Sequence, residues 1–456
     1  MRAWVLFACL LFAAPGVALA APDVVIRDVT VLDPATGVER PHMTVVVRGD
    51  RITRVDPAAE VPATSDDIDG RGRYLLPGLN DAHAHMVDLT PDAFPLLIAL
   101  GVTSVRDMGG DPVETAGWRD EIEQGARVGP RIKFCGWMLE APGDVAVGHP
   151  NHVAVDGPAE AWRIVGELAA AGVDCIKMRT VRDMETYVAM GEAAHAARLP
   201  LVGHPPFALD SVEVARVGQQ TFEHAFYPYP FGSLADERRA EIIAAFRTSG
   251  VRLTPSFVAW AHSMLPPADV AAEFRALDAN TAPARFISPR LYGNWVEGME
   301  GFEKAPRGSP GWIRAVQQAG RDFAEMHQAG IGVVAGTDLG APFVDPATAL
   351  YQELELMVAL GGLTPAEAVS AATWDAAALF DQQDRFGSIT VGKAADLILL
   401  DANPFADIAN IRTVNTVIAR GVVYGPDDRR RMMDAVVPAL ARQWRDHPPA
   451  PMPAPE

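Results

Sequence analysis

Residues 75–85 read LLPGLNDAHAH, an apolar run that ends in two histidines one residue apart. Side chains two residues apart on a β-strand point to the same side, so the rings of His83 and His85 can converge on one cation. The Pro-Gly pair favours a clean start for this strand. Two histidines at this spacing also arise by chance on surfaces and in cores, because imidazole has many structural roles. The pair therefore predicts a metal-binding strand end only if the rest of the chain supports it.

The middle of the chain repeats one pattern, in which a short apolar run is followed by a polar or glycine-rich turn and an amphipathic helix. Intervals of roughly 30 residues between the runs are typical of βα units. Eight such units predict an α/β fold with a closed (β/α)8 barrel of the TIM type. The predicted helices include residues 160–171, 183–197, 235–249 and 364–379, and the predicted strands begin near Leu79, Thr103, Arg131, Asp174, Pro200, Thr221, Arg252 and Ile331.

Both ends of the chain alternate apolar and polar residues as strands do. Residues 24–31 and 43–48 predict a small antiparallel sheet, and a similar pattern returns only at 395–401 and 415–424. Because these stretches flank the long middle, we expect them to pair in one small β-sandwich domain. The predicted domains are a signal peptide at 1–20, a β-sandwich built from 21–75 and 385–430, a barrel at 76–384, and a C-terminal helix with a proline-rich tail at 431–456.

Several predicted barrel strands end in residues that can bind a metal. In this fold the catalytic groups lie at the C-terminal ends of the strands. A single histidine, lysine or aspartate there is usually structural or solvated, but six of them at one level of one barrel would rarely arise by chance. The set comprises His83 and His85 on the first strand, Lys177 on the fourth, His204 on the fifth, His224 on the sixth and Asp338 on the eighth.

This ligand set, together with the closing segment at 387–398, resembles the pattern of the amidohydrolase superfamily over nearly the whole mature length. The chain most resembles the imidazolonepropionase-related, prolidase-like branch. The resemblance implies two zinc ions, although another divalent metal could take their place. It implies that His83, His85 and Asp338 bind one ion, that His204 and His224 bind the second, and that Lys177, carboxylated by CO2, bridges both.

A lysine aimed at a group of histidines has a chemical explanation. An ammonium group cannot bind a cation, but burial and nearby cations lower the pKa of Lys177. As a carbamate it becomes an anionic oxygen bridge suited to two metals roughly 3.5 Å apart, and zinc accepts imidazole nitrogen and carboxylate oxygen together. A hydroxide bridging both ions would attack a substrate carbonyl, and Asp338 would take the proton and return it to the leaving amine.

These residues predict a metal-dependent hydrolase of amide C–N bonds, acting on a dipeptide, such as an Xaa-Pro dipeptide, or on an N-acyl amino acid. Members with one metal that deaminate or open rings lack a bridging lysine at this strand, so Lys177 favours a two-metal hydrolase. The same site could act on a lactone, a cyclic imide or a carbamate, since a metal pair serves any activated carbonyl. A decayed barrel that only binds a ligand is a third hypothesis, although no ligand is missing.

Residues close to the ligands are candidate substrate contacts. Arg179 lies two residues beyond Lys177 and could hold a substrate carboxylate, although a solvated loop arginine is more common. Tyr227 and Tyr229 follow the sixth strand and could hydrogen-bond a carbonyl oxygen or only pack. His149 and His152, in one stretch after the third strand, could line the pocket, although their spacing suits a loop better than a third metal.

Other polar stretches have structural interpretations. His152 accompanies the preceding histidine in a loop-like stretch, and Arg106 and Asp107 are predicted to form an internal ion pair. The segment 266–310 is longer than a barrel needs, so we expect either a lid over the barrel mouth or an ordinary helical insertion.

The N-terminus resembles an export signal. Residues 1–20 contain Arg2, an apolar run and a small-residue ending, which fits a secretory signal cleaved after Ala20. The predicted location is the periplasm or the outside of the cell. After cleavage Cys135 and Cys175 remain, both in apolar strand-like runs, where we expect buried free thiols rather than a disulfide framework.

The formal net charge of −19 predicts an acidic surface. Such a surface argues against nucleic acid and against anionic membrane faces as partners. The apolar run near the N-terminus is too short for a spanning helix, so no stable membrane insertion is expected. The expected partner is a small-molecule substrate, and the surface pattern leaves open whether the chain forms a homo-oligomer.

Overall fold

The computed structural model describes residues 24–57, 67–145, 151–224, 231–261, 286–304 and 309–446. The predicted signal peptide, His149, Tyr227, Tyr229 and the proline-rich tail lie outside these residues. The strands are β1 (Val24–Asp33), β2 (Val38–Arg48), β3 (Arg51–Pro57), β4 (Ile68–Asp69), β5 (Tyr74–Pro77), β6 (Leu79–Ala84), β7 (Val102–Asp107), β8 (Arg131–Phe134), β9 (Met138–Glu140), β10 (His152–Ala154), β11 (Ile176–Met178), β12 (Leu201–Gly203), β13 (Thr221–Glu223), β14 (Arg252–Thr254), β15 (Gly332–Val333), β16 (Leu397–Leu400), β17 (Val414–Ala419) and β18 (Val422–Tyr424).

Helices cover the barrel and close the chain. Their first turns are often capped as the sequence favours: Asp111, Asp183 and Asp210 each accept backbone N–H groups at a helix start. The helices are α1 (Met86–Leu89), α2 (Phe94–Ala99), α3 (Pro112–Glu123), α4 (Pro158–Ala170), α5 (Met184–Ala196), α6 (Ser211–Val217), α7 (Asp236–Ser249), α8 (Phe257–Ala261), α9 (Pro289–Lys304), α10 (Pro310–Gln328), α11 (Ala349–Ala359), α12 (Pro365–Ala371), α13 (Trp374–Leu379) and α14 (Pro426–Asp446).

The predicted barrel is confirmed. Eight parallel strands follow in chain order, with β6, β7 and β8 in one ladder and β11 to β15 in another. Backbone hydrogen bonds join the two ladders on both sides: Asp174 N donates to Phe134 O at 2.7 Å, and Ala82 N donates to Ala335 O at 2.9 Å. Each predicted strand start lies within two residues of an observed one, because strands buried on both faces are read as apolar runs.

The two chain ends pair in one sheet, as predicted. β5 lies between β1, to which it is parallel, and β16, to which it is antiparallel. Leu75 faces Leu399 across this pair, and both side chains belong to a separate apolar core under the sheet. β5 therefore ties the N-terminal hairpins to the C-terminal strands one residue before the barrel begins.

The expectation of free thiols was wrong, since Cys135 and Cys175 form a disulfide. Cys135 directly follows β8 and Cys175 directly precedes β11, which are neighbours in the closed barrel. Barrel closure brings their Cα atoms to 4.4 Å although 40 residues separate them, a distance that a disulfide can bridge. The pair is buried against Met108 and Val202 inside the barrel.

The stretch predicted as one helix at 364–379 is two helices, α12 and α13. The break falls at Thr373, whose φ of −136° and ψ of −82° are not helical. Backbone N–H groups of the barrel form hydrogen bonds with the carbonyl groups at this point. Ala335 N donates to Ala371 O, and Asn80 N donates to Ala372 O. These carbonyl groups are therefore not available to N–H groups of a continuing helix, and the helix ends.

The described part of the predicted lid or insertion is α9. Arg290, Asn294 and Glu297 of this helix line the barrel mouth. Trp295 on the same helix is buried against Phe343. The helix therefore forms a packed wall of the mouth, and its movement as a lid stays a prediction.

The C-terminal helix α14 packs onto the barrel. Trp444 Nε1 donates to Ile287 O at 2.9 Å, and Gln443 Nε2 donates to Asp92 Oδ2 at 2.9 Å. Among the described helices none combines the length and apolar character needed to cross a bilayer. The limits of the predicted domains stay predictions.

Candidate metal centre

His83, His85 and Asp338 lie together at the C-terminal end of the barrel. Asp338 Oδ1 is 3.3 Å from His83 Nε2 and 3.2 Å from His85 Nε2. Two backbone hydrogen bonds between the first and eighth strands fix this arrangement, from Asp338 N to His83 O at 2.8 Å and from His85 N to Leu339 O at 2.6 Å. One ligand atom from each side chain falls within 4.8 Å of the others, which suits a shared metal ion.

His204 and His224 lie beside this group. The two rings are 5.1 Å apart between centroids, and His224 Nε2 is 3.7 Å from Asp338 Oδ2. The barrel ladder places both, since His204 N donates to Met178 O and His224 N donates to Thr254 O. His224 and Asp338 both adopt positive φ, 54° and 61°. Such backbone strain in non-glycine residues is characteristic of functional sites.

Lys177 completes the set from the fourth barrel strand. Its side chain is 1% exposed, and its Nζ atom has no hydrogen-bond partner among the described residues. Burial lowers the pKa of Lys177 to about 8. The structure thus brings all six predicted ligands to one cavity of about 540 Å³, whose wall includes His83, His85, Lys177, His204, His224 and Asp338.

The donor set fits divalent metal ions. An amine buried without an acceptor is costly, and conversion to a carbamate would replace its positive charge with a negative one and supply oxygen ligands. Imidazole nitrogens with a carboxylate oxygen are a donor set that zinc favours. The six residues together therefore suit a metal centre larger than the cluster of His83, His85 and Asp338 alone.

Burial keeps two of the histidines in the neutral form that binds metals. It lowers the pKa of His224 to about 3 and that of His204 well below its usual range. Burial alone would raise the pKa of Asp338, but the neighbouring His224, His83 and His85 hold it well below the usual value for a carboxyl group. Asp338 is therefore an anion surrounded by potential ligands.

Glu223 supports His83 from below, and sequence reasoning missed it. Its Oε2 is 2.8 Å from His83 Nδ1, and its Oε1 accepts from Arg106 Nη2 at 2.6 Å. Arg106 Nε in turn donates to Ala82 O at 2.6 Å. All three side chains are buried. A carboxylate on the far nitrogen of a ligating histidine fixes the tautomer and ring orientation.

The predicted ion pair between Arg106 and Asp107 is wrong. Consecutive strand residues point to opposite faces, so Arg106 reaches Glu223 inside the barrel while Asp107 accepts from Met86 N at 2.8 Å. A signal for the real pairing was present in the sequence, because Glu223 is a charged residue inside the apolar run that ends at His224.

Asp81 provides a second buried support. One carboxylate oxygen accepts from His83 N at 3.1 Å and Thr337 N at 3.0 Å, and the other accepts from Thr337 Oγ1 at 2.6 Å. The first and eighth strands, which carry three of the ligands, are thereby held together at their ends.

Arg179 lines the mouth of the cavity, as its spacing from Lys177 predicts. Its Nη1 donates to Glu140 Oε1 at 2.7 Å, and the same oxygen lies 2.6 Å from His152 Nδ1. The Arg179 side chain is 37% exposed, whereas Glu140 is fully buried. The arginine is thus an anchored wall residue rather than a solvated loop residue. The other substrate-contact candidates lie outside the described residues, namely Tyr227, Tyr229 and His149.

The opposite wall comes from α9. Arg290, Asn294 and Glu297 face the cavity from this helix. Arg290 Nε donates to Asp88 Oδ1 at 3.0 Å, and Asn294 Nδ2 donates to Gly340 O at 3.3 Å. These bonds tie α9 to α1, which follows the first barrel strand, and to the loop after the eighth strand.

Comparison with known proteins agrees with this geometry. An imidazolonepropionase from Micrococcus luteus is 28% identical over 406 residues, which cover 83% of this chain and 92% of the relative. One from Geobacillus kaustophilus is 25% identical over 406 residues, covering 85% and 89%. Among solved structures, a prolidase candidate from Bifidobacterium longum is 27% identical with a TM-score of 0.68, covering 92% of this chain and all of that chain.

A bottromycin amidohydrolase shares the fold, with a TM-score of 0.70 at 23% identity, covering 92% of this chain and 90% of that one. The sequence model of the Amidohydrolase family matches residues 74–424. That match spans well over half of the chain and includes every ligand described above. The protein therefore belongs to the amidohydrolase superfamily, in the branch of imidazolonepropionases and prolidases, as a hydrolase of C–N bonds with a divalent metal centre.

Proposed function

We propose that the protein hydrolyses the amide bond of a dipeptide or an N-acyl amino acid at a binuclear zinc centre. The observation that carries this proposal is the buried amine of Lys177, which has no acceptor among the described residues and lines the same cavity as four histidines and an aspartate. A one-metal site has no use for a lysine at this position, whereas a carbamate on it would provide two anionic oxygens.

In this proposal His83, His85 and Asp338 hold one ion, His204 and His224 hold the other, and Lys177 as a carbamate contributes to both. Divalent metal bound here would polarise a substrate carbonyl and lower the pKa of water. Zinc is the expected metal because the donors are mainly imidazole nitrogens.

Asp338 is the expected proton carrier. Its pKa is held low by the surrounding histidines, so it is ionised and ready to accept a proton from the attacking water. The same carboxylate then donates that proton to the leaving nitrogen. Breaking an amide bond requires this step, since an amine anion is a poor leaving group.

Arg179 is the expected contact for the substrate carboxylate. Glu140 holds one terminal nitrogen of the guanidinium, which fixes its orientation at the cavity wall before substrate arrives. A guanidinium binds a carboxylate with two parallel hydrogen bonds. Substrates that end in a free carboxylate should therefore bind better than their amides.

A cyclic amide is the alternative substrate, because the curated relatives reported above are imidazolonepropionases. Lactones, cyclic imides and carbamates present the same kind of carbonyl to the site. Export to the periplasm or the medium is also proposed, supported by the sequence of residues 1–20 and by the disulfide, since disulfides persist in oxidising compartments.

The test incubates mature protein, supplied with zinc and bicarbonate, with pooled dipeptides and N-acyl amino acids and follows free amino acids by mass spectrometry. We expect release that depends on the C-terminal residue, that disappears in Asp338→Asn, and that weakens in Arg179→Gln through a higher KM. Arg182→Gln, an exposed neighbour paired with Asp144, is the control. Silence from protein shown to hold two metals would reject amide substrates of this class and direct the search to lactones, cyclic imides and carbamates.

A further inference from the structure

A second cavity, of about 670 Å³, lies at the end of the barrel away from the metal centre. Its wall includes Asn80, Thr103 and Arg131, which stand at the beginnings of β6, β7 and β8. The metal ligands lie within one residue of the ends of barrel strands or beyond those ends. This cavity, larger than the catalytic one, therefore opens where the barrel meets the segment that leads into β16.

Positive side chains are concentrated in this wall although the whole chain carries a net charge of −19. Two of these positive charges are paired with a carboxylate outside the cavity wall. Lys133 and Arg119 lie 2.8 and 3.5 Å from Asp174. Asp396 accepts from Arg131 Nε at 2.8 Å. The wall contains Arg119, Arg131, Lys133, Arg385 and Arg420.

Two guanidinium nitrogens in the wall lack an acceptor. Arg385 Nε and Arg131 Nη2 are both buried, and no described residue accepts a hydrogen bond from either atom. Arg385 also has no carboxylate partner among the described residues. A guanidinium in such surroundings is normally hydrogen-bonded. Arg385 lines the cavity and its side chain donates to no described residue, so it suits an acceptor that enters the cavity.

Phe386 holds both arginines in place. The Cζ atom of Arg385 lies 4.9 Å from the centroid of the Phe386 ring, and the Cζ atom of Arg131 lies 5.3 Å from the same centroid. Contact with one aromatic ring restricts the guanidinium groups before any ligand binds. The pair is therefore arranged in advance, which favours affinity.

We propose that this cavity binds a small organic monocarboxylate, with Arg385 and Arg131 as the anchors for its carboxylate group. Phe380 and Phe386 provide apolar surface for the body of the ligand. Four carboxylates line the same cavity, namely Asp50, Asp120, Glu123 and Asp396. Asp396 is paired with Arg131, and the other three disfavour multiply charged anions such as phosphate. The site is separate from the catalytic cavity, so its occupant need be neither substrate nor product.

The test is isothermal titration of metal-loaded protein with benzoate and, separately, with inorganic phosphate. We expect benzoate to bind and phosphate to bind at least about tenfold more weakly. Arg385→Gln should raise the Kd for benzoate about tenfold or more, the usual effect of losing a charge-assisted hydrogen bond. Arg163→Gln, an exposed arginine on α4, is the matched control and should bind like the wild type.

Two further variants locate the benzoate. Arg179→Gln alters the catalytic cavity and should leave the Kd unchanged, whereas Phe386→Leu should raise it without removing a charge. Thermal unfolding of each variant checks that the fold is retained. No benzoate binding by the wild type, equal affinity in wild type and Arg385→Gln, a Kd that follows Arg179, or a preference for phosphate would each overturn the proposal.

Discussion

The unmodified amine of Lys177 is energetically unfavourable in the surroundings that the structure gives it. The amine is buried, burial lowers its pKa to about 8, and no described group accepts a hydrogen bond from it. A site of this kind is stable only if the amine is modified or neutralised. We therefore expect the lysine to matter for metal content more than for folding.

Replacing Lys177 with methionine keeps the volume and removes the amine. We expect thermal stability of the metal-free protein to stay the same or rise, since the change removes a buried polar group that has no partner. Metal content should fall from two ions per chain to one, with activity reduced at least about a hundredfold. Elemental analysis beside a melting curve separates these effects. A variant with two ions and full activity would refute the bridging role.

Glu223 is the second informative residue, because it joins His83 to the buried Arg106. Glu223→Gln keeps the shape and removes the charge, which leaves Arg106 buried without its ion-pair partner. We expect zinc affinity to fall about 10- to 100-fold, measured by competition with a chromogenic chelator. Glu241→Gln, an exposed glutamate on α7, should behave like the wild type. Unaltered zinc affinity in Glu223→Gln would mean that His83 is held by its strand alone.

Among the elements, the contact between β11 and β12 tolerates little change at Gly203. Gly203 has a φ of +135°, and a Cβ atom there would lie 1.8 Å from Met178 O. Only glycine lets the fifth strand approach the fourth closely enough to place His204 beside Lys177.

Gly203→Ala should destabilise the protein by roughly 3 kcal/mol or more, through steric overlap and positive φ together. Gly172→Ala is the matched control, since Gly172 also has positive φ, +76°, but has open space around it. That variant should lose only about 1 kcal/mol. Denaturant unfolding measures both, and similar losses in the two variants would show that the close approach is unimportant.

Helix α11 contains a buried glutamate, Glu353, whose pKa is raised. Glu353 accepts from Val258 N at 2.8 Å, and burial raises the pKa of its carboxyl group to about 8. The folded protein therefore holds this proton more tightly than the unfolded chain does. The stabilising contribution is complete below the unfolded pKa, near 4.5, and is lost as pH rises through about 8.

Glu353→Gln should remove this pH dependence. Between pH 5 and pH 9 the variant should gain on the order of 4 kcal/mol relative to the wild type. Melting curves of both metal-free proteins across this range measure the difference directly. Parallel curves for the two proteins would mean that Glu353 is ionised in the fold.

For the whole molecule, the sequence predicted the features that depend on residues close together in the chain. Each barrel strand is an apolar run, and five of the eight lead into a polar ligand, so strand starts and ligands such as His204 could be predicted from the chain alone. Pairings across the barrel could not, because they depend on which strands become neighbours. The link from Glu223 to Arg106, the disulfide and the break at Thr373 all arise from barrel closure.

The disulfide Cys135–Cys175 acts at this scale, since it joins the two ladders of the barrel beneath the metal centre. Closing a loop of this length in the unfolded chain is worth about 4 kcal/mol in the chain-entropy model. The variant with both cysteines changed to alanine should lose stability of that order in denaturant unfolding. Native protein denatured without reductant should take up no iodoacetamide at these two residues, and labelling there would contradict the assignment.

The position of β5 has a consequence for how the protein is made. Its partner on one side, β16, and the ligand Asp338 are both synthesised hundreds of residues after it. A growing chain therefore has an open sheet edge and an incomplete ligand set until translation is almost finished. If the proposed export takes place while the chain is being synthesised, the chain would reach the membrane unable to bind metal at all six ligands or to complete this sheet. It would assemble its catalytic centre only after crossing the membrane.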